Sequence, residues 1–214
     1  MNKNHLKLLA VIGCSITFLS GVQAATKVKA GVKQSPAQHK PSNSTQNAYV
    51  AKVKKIESNL IVLLGTISTD AYSWTTWSRQ VEINKEAGMD NPESEDFLKR
   101  DLGDKYVDIK AEVKKSKAAL TLNLPKALRL LVQLRSISPV PKSLKTVDDN
   151  FGKFSRESET AMNKLKQALV INEWALGVVA REQASKAFKH YNAAKREMAR
   201  KTDHADKSKK YVDG

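Results

Sequence analysis

Four carboxylates are the residues best spaced for acid–base chemistry. Asp101, Asp104, Asp108 and Glu112 share one face if the segment after Pro92 is a single helix. A general acid needs a desolvated carboxyl whose pKa is raised. These acids alternate with Lys105 and Lys110 and lie opposite Ile109 and Val113, so the pattern predicts a solvated, salt-paired face. Metal chemistry lacks its ligands. His39, His190 and His204 are scattered, with no C-x-x-C-H, no H-x-x-x-H and no inward His/Glu pair at helical spacing. His190 borders an apolar face and reads as a boundary histidine. Asp90-Asn91 is a turn and cap, and the calcium-loop spacing is missing. There is no G-x-S-x-G, no supported S-x-x-K, and no glycine-rich phosphate loop; 9 glycines in 214 residues leave few places for one. The expectation is a non-enzyme without cofactor or metal.

Cations are better organised. With Lys186 set at zero and a turn of about 100° per residue, Lys189, Arg196 and Arg200 fall at about 300°, 280° and 320°. Ala187, Tyr191, Ala194 and Met198 fall on the opposite side, so an apolar face can dock while four cations point outward. Glu182 intrudes on this stripe and is expected to pair with Lys186. Lys110, Lys114 and Lys117 make a second basic face. A cation near an anionic membrane contributes about 1 kcal/mol, so the four-residue stripe alone supplies about 4 kcal/mol, or millimolar binding. Tighter binding needs both faces, further lysines or a shaped headgroup pocket. A solvated charged face without a ligand is the competing reading.

Trp74 and Trp77 lie one turn apart, near the seam of Ile67 and Val81. Burial in the core is the ordinary outcome for aromatics at this spacing. The alternative is an exposed pair anchoring a membrane interface or a partner.

The chain carries 37 Lys+Arg against 22 Asp+Glu, a formal charge of +15. Such a surplus favours phosphate-, carboxylate- or sulfate-rich surfaces and says nothing about fold. Its first residues read as an export signal. Lys3 and Lys7 precede an apolar stretch from Leu8 to Val22, and Val22-Gln23-Ala24 supplies a cleavage site after Ala24. That stretch is too short to span a bilayer, which takes about 20 residues. Val11-Ile12-Gly13-Cys14 also resembles a lipobox, which would lipidate Cys14. An apolar Ile16-Thr17-Phe18-Leu19 would then follow the lipid, where a polar tether is usual. Cleavage after Ala24 removes the single cysteine, and with it disulfides and thiolate chemistry. It also removes Lys3 and Lys7, lowering the basic count to 35 and the surplus to +13.

The elements that must position these groups are helices. Residues 25–46 hold four lysines and two prolines with no acid or aromatic, and read as a disordered basic linker. Asn43-Ser44-Thr45 matches a glycosylation sequon, relevant only to a eukaryotic secretory route. Tyr49, Val53, Ile56, Leu60, Leu63 and Ile67 then step by four and three, an a/d seam predicting a helix from about Gln46 to Ala87, with a bend at Gly65. Gly88 stops it, and Asn91-Pro92 caps and opens the next. A second helix is expected through Leu98, Leu102, Tyr106, Ile109, Val113 and Leu120. Pro125 is expected to open a short third helix ending before Ser138-Pro139-Val140-Pro141. One long last helix follows from Leu144 to Met198, with kinks at Gly152 and Gly177, and then a charged flexible tail from 202 to 214.

The fold class is therefore all-α. A helical domain over 47–201 forms a three- or four-helix antiparallel bundle or an elongated coiled-coil hairpin. The function expected is an exported, secreted or periplasmic protein. It would bind an anionic surface peripherally, through phospholipid or phosphoinositide headgroups or a polyanionic glycan. Nucleic acid is disfavoured by export and by the lack of aromatics within the stripe. The alternative is an assembly component of envelope or secretion machinery that pairs with a helical protein partner. The two separate on the quadruple change of Lys186, Lys189, Arg196 and Arg200 to Glu: unaltered vesicle binding would reject the stripe.

Overall fold

The computed structural model describes residues 43–210, with side chains described from 44 to 202. The expected signal peptide, its expected cleavage site, Cys14 and nearly all of the expected basic linker lie outside the described residues. Those residues form five α-helices and no strand, an all-α chain. They are α1 (Asn43–Glu86), α2 (Pro92–Leu102), α3 (Ile109–Arg135), α4 (Lys145–Ile171) and α5 (Trp174–Lys210).

In α1 the a/d seam turns inward. Tyr49, Val53, Leu60, Ile67 and Trp74 are buried, with Ile56 and Leu63 packed beside them. The helix runs unbroken through Gly65, and the chain is already helical at Asn43, ahead of the expected Gln46. At its end Gly88 takes φ +67°. Asn91 then caps α2, its Oδ1 accepting from the Ser94 amide at 2.8 Å, with Pro92 at the first helical position.

Three expectations fail, each for a local reason. The second helix is two. Gly103, at φ +50°, ends α2 in a 3-10 turn over Gly103–Lys105, and α3 restarts at Ile109 under an Asp108 cap that accepts from Ala111 N at 2.9 Å. The four carboxylates of the supposed shared face are thereby dispersed over α2, the turn, the cap and the first turn of α3. Pro125, by contrast, opens nothing; it sits inside α3. Its ring is exposed, while Leu120, Leu124, Ala127, Leu131 and Leu134 continue one buried seam on either side of it. A mid-helix proline costs about 3 kcal/mol, whereas burying each large side chain returns about 1.5–3 kcal/mol. The seam wins.

The long last helix is also two. Asn172 adopts the left-handed conformation at φ +57°, its amide bonded back to the Ala168 carbonyl, and Glu173 completes the reversal. The rings confirm the antiparallel sense of the pair. Phe154 of α4 meets Phe188 of α5 at 5.5 Å, and Phe151 meets Tyr191 at 6.3 Å. The tail expected from 202 onward is helical through Lys210.

α1 packs on α3 and α5, and α4 packs on the same two. Small residues on α5, namely Gly177, Ala180, Ala187 and Ala194, are buried at these contacts and allow close approach. A polar tie crosses from α1 to α5. The buried Glu57 carboxylate accepts from the Tyr191 hydroxyl and pairs with Lys195 at 2.7 Å. A second links α1 to α4, where Tyr49 donates to Asp148 at 2.9 Å. Burial raises both phenols above the usual tyrosine value, and the carboxylate partner adds to the shift.

Candidate anion-binding site

The α5 stripe is exposed as expected: Lys186, Lys189, Arg196 and Arg200 all face solvent. Its charge is partly spent internally. Arg200 pairs with Glu197 at 2.8 Å, and Lys201 approaches the same carboxylate at 3.8 Å. The expected Glu182–Lys186 pair does not form. Lys186, Lys189 and Arg196 meet no carboxylate among the described residues.

On α3, Lys110 pairs with Asp90, whose position just before the α2 cap brings it back onto this face. Lys114 is exposed and unpaired among the described residues. Lys117 donates to the side-chain carbonyl of Asn172 at 3.3 Å, so it meets an amide dipole rather than a charge. Beside it α4 supplies a cation that sequence spacing missed. Lys117 and Lys166 flank a groove of about 320 Å³. Its walls are Thr121, Leu124, Pro125, Leu169 and Val170. Val170 is 78% exposed, so a large apolar group stands beside the lysines. Lys166 and Val170 sit four apart on α4, a spacing whose meaning depends on knowing that α4 turns back at Asn172.

The two basic faces do not merge. α3 and α5 each pack on α1 and α4 and are not closely packed on one another.

Trp74 belongs to the core. It is fully buried, its ring edge against Gly177 of α5, and so is not half of an exposed pair; Trp77 is half-buried. His190 pairs with Glu157 at 3.0 Å. Asp101 and Asp104 are exposed, Asp108 is committed to its cap, and Glu112 pairs with Lys115 at 3.4 Å. Burial holds the Asp70 carboxyl above its ordinary value while Lys115 pulls it back. Among the described residues no group of three or more His, Cys, Asp or Glu side chains could hold a metal, and no helix is long and apolar enough to cross a membrane.

No protein-family model, no curated protein and no solved structure matches the chain.

Proposed function

We propose that this is an exported, non-enzymatic protein that binds anionic lipid surfaces peripherally through the α3–α4 face. One observation carries the reading: Lys117 and Lys166 flank an apolar groove, with Val170 exposed beside them and, among the described residues, no carboxylate on either lysine. Cations beside greasy side chains suit an amphiphile, whose headgroup and acyl region call for both. A polyanionic glycan would use the lysines and leave Val170 wet. Lys114, Lys117 and Lys166 supply about 3 kcal/mol near an anionic leaflet, and burying Val170 adds about 1.5 kcal/mol. The total corresponds to roughly submillimolar binding by this face alone. The α5 stripe supports a second, weaker contact, because Glu182 and Glu197 share its side.

Two finer readings accompany this one. The ring of pairs α1–α3–α4–α5–α1, with α4 and α5 antiparallel, supports an antiparallel four-helix bundle. The charged n-region, the short apolar stretch and Val22-Gln23-Ala24 support cleavage after Ala24. Assembly with another helical protein is favoured by α2, which buries none of its residues and exposes Phe97 by 63%.

Sedimentation with phosphatidylglycerol vesicles tests the function. The mature protein should pellet with them, weaken as salt rises, and ignore phosphatidylcholine vesicles. Lys117→Glu/Lys166→Glu should lose the pelleting. Unchanged pelleting by that variant, at unchanged circular dichroism, overturns the assignment.

A further inference from the structure

A second cavity lies away from the α3–α4 face, where α1, α4 and α5 meet. It is a partly open pocket of about 180 Å³ between Leu64, Ile67, Met162, Leu165 and Phe188. One charged side chain lines it, Arg181 of α5, and no carboxylate does. The guanidinium rests over the Tyr72 ring, 4.7 Å from its centroid, and donates from Nη1 to Thr75 Oγ1 at 3.2 Å. That hydroxyl in turn donates to the Ala71 carbonyl at 2.8 Å. Among the described residues Arg181 thus makes one hydrogen bond out of the five a guanidinium can donate, and it makes it to a neutral group. Its nearest charged neighbour in sequence, Glu182, faces solvent and makes no ion pair with it. Burial disfavours the charged form of Arg181, which Tyr72 and Glu182 only partly restore. Arg181 is thus a half-buried cation with spare donors, braced by an aromatic face and lining a largely apolar pocket, a combination that suits an anion with an apolar body.

We infer that this cavity binds a small monocarboxylate whose apolar part is about the size of one aromatic ring. The volume sets the size, since an apolar cavity of about 150 Å³ accommodates benzene. The planar fork of Arg181 sets the charge and the geometry, because it matches a carboxylate with two parallel N–H bonds. The site is separate from the lipid-binding face and does not depend on it.

Calorimetric titration of the full mature chain with phenylacetate and with its neutral isostere phenylacetamide tests the inference. The acid should bind at least about tenfold more tightly than the amide, the margin of one charge-assisted hydrogen bond. Arg181→Gln should remove that margin and leave the amide's affinity within about twofold. Ala184→Leu, which places extra carbons in the chamber, should weaken both ligands by about tenfold or more. Equal affinities of the wild-type chain for acid and amide overturn the inference, as does a lack of heat from phenylacetate at about 10 mM. Either result stands whatever the variants do to folding.

Discussion

Replacing Gly177 by Ala puts a methyl carbon 2.6 Å from Cζ3 of Trp74 and 2.8 Å from Cγ2 of Thr75. Both neighbours are buried and Trp74 is fully so, which leaves neither ring nor methyl room to retreat. Overpacking of this kind costs about 1–3 kcal/mol, and a contact this short against a fixed ring belongs at the upper end. Helix propensity works the other way, favouring alanine over glycine by about 1 kcal/mol. The net expectation is a loss of about 2 kcal/mol. Gly65→Ala in α1 is the matched control. Nothing lies within 4 Å of the added carbon and the site is exposed, so only the propensity gain of about 0.5–1 kcal/mol remains. Urea unfolding followed by circular dichroism at 222 nm should move the two midpoints in opposite directions with equal slopes. A Gly177→Ala chain as stable as the wild type, or more so, would refute the close packing of α5 on α1.

Glu57→Ala removes the acceptor of Tyr191 and the partner of Lys195; because Lys195 is 39% exposed and can rehydrate, the loss should be about 2 kcal/mol in the same unfolding assay. The phenols of Tyr49 and Tyr191 are held above the usual 10.0, so the unfolded chain releases those protons first. Their contribution is present below pH 10 and falls as pH rises beyond it, and Tyr191→Phe should flatten that alkaline decline by about half in pH-dependent melting curves. At the α4–α5 turn, Asn172→Val forces a β-branched residue into the left-handed region and should cost about 1–2 kcal/mol in thermal melts, whereas Asn172→Gly should stay within about 0.5 kcal/mol of wild type.

Much of the fold was legible because burial and spacing agree. The α1 seam from Tyr49 to Trp74 steps by four and three, and the buried positions follow it. Gly88 and the Asn91-Pro92 cap work through local geometry that sequence carries directly. The failures occurred where a local signal competed with tertiary packing. Pro125 reads as a helix start, yet its exposed position lets the Leu120–Leu134 seam carry the helix through. Asn172 carries no proline or glycine beside it, and the apolar periodicity of α4 and α5 continues in phase across it, so the reversal was invisible to spacing. Missing that reversal also hid part of the site. The cations of α3 and α5 could be found by angle alone, but pairing Lys166 with Lys117, or turning Arg181 into a cavity, requires knowing which helices are neighbours.

The most direct measurement compares two charge-reversed chains on phosphatidylglycerol vesicles by flotation at fixed salt. Lys114→Glu/Lys117→Glu/Lys166→Glu should bind weaker than wild type by about a thousandfold or more, since each reversal removes a cation of about 1 kcal/mol and sets a repelled anion in its place. The quadruple change of Lys186, Lys189, Arg196 and Arg200 to Glu should lose less than about tenfold, because Glu182 and Glu197 already offset that stripe. The reverse ranking, or full binding by the triple variant, would contradict a lipid-binding face built on α3 and α4.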